Sequence, residues 1–368
     1  MPHPLGTSRH CSRVHDAHLL LAIAEGFDES PVPSLLPPGE DPEAVLADPP
    51  APPTVPARVA ARLRRRNLGE IAAAIRRRCD ELGLRVLTPL DRDWPPRLSA
   101  QPIPPLVLFV RGDASVLRRE PAIAIVGSRS PTPYGVDAAS TLAEALALAG
   151  AVLWSGLARG IDAVAHRSSV AAGTPTVAVL AGGLDTVYPA EHATLADEIV
   201  AGGGCLCSEL PPGHRARRGH FVRRNRLLAA GPPAVLVVEA SLASGALHTA
   251  RFAADCATEV FALPGPWRSE RSMGCHRLLA EGALVVEDPA GLLQALGLGA
   301  ASSPAAALAL VHSADEACLL TLLASGPRPG DLLRRESGLE AGPFLRALFA
   351  LEQRGVLQRL PGDLWRRR

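Results

Sequence analysis

The chain has 368 residues, 47% of them hydrophobic, and a formal net charge of only +1. That length favours two or three domains with real cores, and the balance excludes both wholesale disorder and a polycation that grips nucleic acid by bulk charge. All 38 basic residues are arginine, a bias that genome composition explains, and with no lysine a Schiff-base or lysine-bearing P-loop mechanism is excluded.

The N-terminal 16 residues lack an export core and no 18-residue apolar run occurs, so the expectation is a soluble, cytoplasmic protein without membrane insertion. Seven cysteines, with the one close pair Cys205-Leu206-Cys207 lacking a two-residue spacer, read as buried reduced thiols. His18–Gly26 predicts a short helix ending at its glycine. Residues 31–56 are crowded with proline and read as loops or a linker. Ala57–Leu82 predicts one helical stretch, whose runs Arg64-Arg65-Arg66 and Arg76-Arg77-Arg78 form a solvated face, with DNA contact there the minor alternative.

From about residue 120 the rhythm changes. AIAIVG (122–127), AVLWSG (151–156), TVAVLAGG (176–183), AVLVVEA (234–240) and EVFALPG (259–265) are apolar runs that mostly end in glycine. Between them, stretches such as Asp137–Ala149 and Ile161–Ala172 carry helical spacing. The pattern predicts an α/β, Rossmann-like, mostly parallel sheet with helices on both faces. Residues 1–85 then form a helical N-terminal region, 86–297 the Rossmann-like domain, 298–312 a linker and 313–368 a winged helix. In that last unit, helices at Asp315–Ala324 and Gly342–Arg354 precede a hairpin at Pro361-Gly362.

Four stretches carry chemistry. Gly127-Ser128-Arg129 leaves a strand by a tight turn, so backbone N–H groups, a hydroxyl and a guanidinium meet near a helix start, a phosphate-binding arrangement; a plain strand-to-helix turn is the alternative. Ser155-Gly156 and Arg159-Gly160 repeat the pattern, with Asp162 a helix cap or arginine partner rather than a catalytic acid, and His166 a packing or hydrogen-bonding residue rather than a ligand. Third is the window 215–226, which holds six arginines and Asn225 around one aromatic, Phe221. It reads as a loop, either merely solvated or a stacking platform among phosphate contacts from Arg218, Arg223, Arg224, Asn225 and Arg226. Six phosphate contacts would give single-strand binding a log–log salt slope of about −4. Glu239 followed by Ser244-Gly245 supplies the last anion-friendly helix start. Three such turns on one sheet edge converge on a common surface. Histidines and cysteines lack metal-ligand spacing, no GxSxG elbow occurs, and no cofactor is expected.

Together these motifs resemble the DNA-processing protein A family, also called DprA or Smf. The likeness runs through WPPRLSAQPIPPLVLFVRGD, AIVGSRSPTPYG, SGLARGIDAVAH, TVAVLAGGLDTVYPAEH, CSELPPG, FVRRNRLLA, VLVVEASLASGALHTA, FALPG and GCHRLLAEGA, in order over about 200 residues. The tail from about residue 313 resembles the family's winged helix, and the N-terminal region loosely resembles its small, SAM-like helical domain. The resemblance implies a recombination mediator rather than an enzyme. Such a protein binds and protects incoming single-stranded DNA in natural transformation. It also helps load RecA recombinase onto strands covered by single-strand-binding protein, and acts as a homodimer. It places the DNA pocket at Arg129, Arg218, Phe221 and Arg224-Asn225-Arg226. Two positions depart from the family: Val222 replaces a proline and His276 an asparagine. Two other readings are a Rossmann-like nucleotide enzyme of the phosphoribohydrolase type, whose PGGxGTxxE signature is broken here at Gly182-Gly183-Leu184-Asp185-Thr186, and a protein scaffold that binds no DNA.

Overall fold

The computed structural model describes residues 7–37, 39–298, 313–323, 328–353, 356–360 and 363–367. It divides into two compact units, Met1–Leu296 and Gly297–Arg368. The first begins with helices α1 (Thr7–Glu25), α2 (Pro42–Ala47), α3 (Ala57–Leu63) and α4 (Leu68–Glu81). Two expectations change here. The proline-rich segment is no mere linker, because Leu35 and Val55 are buried against Leu21, Ala24, Val59 and Leu63. Its prolines start elements rather than only breaking them: Pro42 opens α2 beneath a cap in which the Asp41 carboxylate accepts the Glu43 N–H at 3.0 Å. The single helix over 57–82 is two, since Val59 and Leu63 serve one core cluster while Ala72 and Cys79 serve another with Leu19 and Ala22. One straight rod cannot present both faces. Arg76 pairs with Asp16 at 2.6 Å and Arg78 with Glu81 at 2.9 Å, as befits a solvated face.

The sheet comprises β1 (Arg85–Leu87), β2 (Leu108–Gly112), β3 (Ala122–Val126), β4 (Val152–Ser155), β5 (Thr176–Val179), β6 (Cys205–Ser208), β7 (Ala234–Val237), β8 (Glu259–Ala262) and β9 (Leu284–Val285). Its order is β1-β2-β6-β5-β4-β3-β7-β8-β9, with β3 to β9 parallel and β1–β2–β6 joined antiparallel. The intervening helices are α5 (Pro96–Ser99), α6 (Pro133–Leu148), α7 (Ile161–Ala171), α8 (Ala193–Ala201), α9 (Arg218–Ala230), α10 (Ala246–Asp255), α11 (Met273–Ala280) and α12 (Pro289–Ala295). Alternation along the strands sends Val126, Trp154, Val179, Cys207 and Val237 to one face against Leu227, Leu228 and Leu247. Phe109, Ala178 and Leu206 go to the other, against Ala163, Leu195 and Ile199. The chain winds outward from β3 to β6, then returns to lay β7 on the other side of β3. That reversal opens a crevice at the carboxyl ends of β3 and β7, where ligands of such sheets bind.

The buried thiols Cys79, Cys207 and Cys275 are pushed up by desolvation to about 11, 12 and 12, so they are unreactive. His166 is fully buried, and its Nδ1 lies 2.9 Å from Thr176 Oγ1, whose own proton goes to the Leu153 carbonyl. Nδ1 therefore carries the proton and donates. Desolvation holds this imidazole neutral, down to about 3. A group whose folded value is depressed gives stability that is full above its unfolded value, about 6.5, and fades as pH falls. Thermal stability should thus decline below pH about 6.5, and His166→Gln should flatten that decline; a melting profile unchanged by the substitution contradicts the assignment.

The second unit contains α13 (Ala314–Leu322), β10 (Arg328–Pro329), α14 (Gly330–Ser337), α15 (Ala341–Gln353), β11 (Leu357–Leu360) and β12 (Leu364–Arg367). Its three-stranded sheet, β10-β12-β11, closes over Leu319, Leu333, Phe344, Leu348, Leu351 and Trp365, which is a winged-helix architecture. The sequence reading missed α14, a two-turn helix with few apolar residues. Residues 299–312 of the 298–312 linker and the Pro361-Gly362 turn lie outside the described residues. Among those described, no helix is long and apolar enough to cross a membrane.

Candidate nucleic-acid interface

A cavity of about 510 Å³ occupies the crevice between β3 and β7. Gly127, Ser128 and Arg129 enter it from the end of β3, and Ser244 and Gly245 from the start of α10. Arg218, Phe221, Val222, Arg224 and Asn225 enter from α9. The window around Phe221 is thus a helix and not a loop, and Val222 keeps the helical N–H that a proline would lack.

Each part is held from behind. A Cβ on Gly127 would lie 2.7 Å from Ile161 and 3.0 Å from the Glu239 carbonyl, so only glycine lets the β3 turn pack this closely. The Glu239 carboxylate, at the end of β7, accepts from Thr132 Oγ1 at 2.5 Å, and Thr132 caps α6 by accepting the Gly135 N–H at 3.1 Å. Glu239 is therefore a brace between two strand ends. Asn225 Nδ2 donates to the Gly245 carbonyl at 3.1 Å and so ties α9 to the third turn. The Arg129 guanidinium lies 4.8 Å from the Phe221 ring centre, and Tyr188 meets the same ring edge-on at 5.7 Å. A base stacked on Phe221 would thus lie beside a cation.

Arg224 is the buried cation of the site. It donates to the Val179 carbonyl, and its guanidinium fills the space over Gly156, where a Cβ would collide with it. Asp162 faces it, accepting the backbone N–H groups of Gly156 at 3.2 Å and Ala158 at 3.4 Å. Burial pushes the Asp162 carboxyl up while Arg224 and Arg129 pull it down. Gly156→Ala should displace Arg224 and weaken oligonucleotide binding about tenfold, one charge-assisted hydrogen bond being worth about 1.5–3 kcal/mol. Gly69→Ala, where a Cβ meets nothing within 4 Å, is the control; equal affinity of both variants with the parent would contradict that role for Arg224.

Six of the sequence-predicted site residues lie outside the cavity lining. Ser155 Oγ donates to the Ile125 carbonyl at 2.6 Å, joining β4 to β3. Gly156 matters through Arg224. Gly160, at φ +77, abuts the Ser128 carbonyl and shapes the first turn without facing the cavity. Arg159 forms a bidentate pair with Glu191, both bonds 2.8 Å, on the surface. Arg223 and Arg226 turn away altogether. Arg223 pairs with Glu209 at 3.2 Å and donates to the Phe27 and Glu29 carbonyls at 3.0 and 2.9 Å, fastening the N-terminal helices to the sheet domain. Arg226 is buried against the same Glu209. Helical geometry accounts for this division: consecutive arginines on α9 point about 100° apart, so they cannot all track one strand.

The sequence reading missed Arg271, which lines the cavity and donates to the Ser130 carbonyl and, at 3.4 Å, to Ser128 Oγ. Its position in the turn beyond β8 was the available signal, because strand ends on this edge face the crevice. The cavity's arginines are therefore Arg129, Arg218, Arg224 and Arg271.

A mostly parallel sheet with an arginine-lined crevice at its switch point, followed in the chain by a winged helix, defines the class of this protein. The chain belongs to the DNA recombination-mediator protein A family, whose model matches residues 85–297, and residues 299–363 match the DprA winged helix domain. Protein Smf of Escherichia coli is 37% identical over 290 residues, 77% of each chain. The X-ray structure of DNA processing protein A from Streptococcus pneumoniae superposes with a TM-score of 0.59 at 30% identity, covering 77% of this chain and 94% of that one. The Helicobacter pylori protein, whose structure is described as giving insight into its single-stranded DNA binding mode, gives a TM-score of 0.53 at 30% identity, over 58% of this chain and 95% of that one.

Proposed function

We propose that this protein holds single-stranded DNA in the crevice at β3 and β7 without cutting it. In the cytoplasm it would protect incoming strands and help load RecA recombinase onto DNA covered by single-strand-binding protein, as a homodimer. The observation that carries the reading is the pairing of four arginines with Phe221 around one concave site. Arginines suit phosphates, and an aromatic face suits an unstacked base, whereas a duplex hides its base faces. The family membership and the Helicobacter pylori relative support it.

The nucleotide-enzyme alternative finds less support at its own signature. The Gly183 N–H is already bonded to the His214 carbonyl at 2.7 Å, and a Cβ on Gly182 would meet the Ala216 nitrogen at 3.0 Å. That turn is covered by chain, not open to a phosphate. Fluorescence anisotropy against a single strand, a duplex and a mononucleotide separates the readings. Preference for the single strand is expected; preference for the mononucleotide would favour an enzyme, and no binding a scaffold. Stimulated RecA strand exchange on DNA covered by single-strand-binding protein is the expected result for the mediator role, and no stimulation would remove it.

A further inference from the structure

We propose that Trp267 and Arg268 form a second stacking platform, which receives single-stranded DNA as it leaves the crevice. The proposal rests on the single-strand reading above and extends it. Of the four tryptophans, Trp94, Trp154 and Trp365 are 1–3% exposed, whereas Trp267 is 74% exposed. An indole left in water is an unspent source of binding energy. It is also not alone: the Arg268 guanidinium lies 4.6 Å from the Trp267 ring centre, and no ion pair engages Arg268 among the described residues. An aromatic face beside an unpaired guanidinium repeats the Arg129–Phe221 arrangement of the cavity.

The fold places this pair on the path of a bound strand. Trp267 and Arg268 lie in the turn that follows β8, on the sheet edge where the turns after β3, β5 and β7 also emerge. Tyr188 lies beyond β5 and meets Phe221, so the two aromatic groups flank the crevice from opposite sides. From β5 to β8 there are four strand spacings of about 4.8 Å each, roughly 19 Å, a span suited to several nucleotides.

The turn is also fixed rather than loose. Tyr134 Oη donates to the Pro264 carbonyl at 2.7 Å, and His276 Nε2 lies 2.9 Å from the Gly265 carbonyl. Arg271, from the same turn, donates to Ser130 and Ser128 at the cavity rim. Trp267 stands four residues before Arg271 in this same turn. Because the other three tryptophans are buried, a bound strand can stack on and quench only this indole directly.

The test titrates the full-length protein with oligothymidylates of about 4 and about 12 nucleotides, lengths that bracket short and extended single-strand sites. The longer strand is expected to quench the exposed indole, and the quench should disappear in Trp267→Phe. Trp267→Ala should weaken the longer strand roughly 5- to 100-fold, the loss of one stacked base, with little effect on the shorter. Trp267→Phe should restore most of the affinity. Unchanged affinity for the longer strand in Trp267→Ala, without quenching in the parent, would overturn the second platform and leave the crevice assignment standing. Failure of the parent to bind either strand would overturn both.

Discussion

Glu209→Ala is expected to cost about 3–5 kcal/mol of stability, because it strands the buried Arg226 guanidinium and removes the nearer carboxylate of Arg223. Glu209 follows β6 and is 6% exposed, with Arg226 on one oxygen and Arg223 at 3.2 Å on the other. Burial alone would raise its carboxyl, but Arg226 and Arg223 more than offset this and hold it below the usual range. After the substitution Arg223 keeps Glu25, at 3.7 Å, as its carboxylate, beside the Phe27 and Glu29 carbonyls, whereas Arg226 keeps Gln101 at 3.4 Å. A melting temperature lower by roughly 10 °C is expected for a unit of this size, and Glu209→Gln should recover part of it. Because α9 carries Phe221 and Arg224, DNA affinity should fall as well. A shift within 2 °C or so would mean that the pairs contribute little beyond a surface bridge.

The largest effect on binding is expected from Arg129→Ala combined with Arg224→Ala. Each removes a charge-assisted contact worth about 1.5–3 kcal/mol, so the pair should lose about 100-fold or more in single-strand affinity. The fold should survive, because Asp162, left without Arg224, is already pushed toward its neutral form by burial and can take up a proton. Circular dichroism should match the parent while anisotropy shows the loss; unchanged affinity would remove these two residues from the site.

Much of the fold was legible because β3, β4, β5, β7 and β8 are continuous apolar runs ending at turns. The other strands were harder. β6, Cys205–Ser208, is as long as β4 or β7 but carries two cysteines and a serine in place of aliphatic residues, and β9 is only Leu284–Val285; both form by pairing with neighbours. Helix α9 was hidden for another reason. Its buried face includes Arg224 and Arg226 beside Leu227 and Leu228, so no apolar period marks it. The countercharge that lets Arg226 be buried comes from Glu209, 17 residues earlier in the chain, and such a partnership is invisible in a local window. For the same reason charge alone could not tell which arginines face the crevice. Arg129, Arg218 and Arg224 do, Arg223 and Arg226 do not, and Arg271 joins from a turn with no arginine cluster. The covered Gly182-Gly183 turn likewise needed the fold, because the chain at 211–216 that closes it is distant in sequence.

The salt dependence of single-strand binding tests the crevice most directly. Four cavity arginines, at about 0.7 per phosphate contact, predict a log–log slope of about −3 for a short oligonucleotide rather than about −4 for all six in the window. Arg129→Ala should reduce that slope by about 0.7, while Arg159→Ala, on the surface pair with Glu191, should leave it alone. A slope near zero, or one that Arg159→Ala changes as much as Arg129→Ala, would contradict a strand seated between β3 and β7.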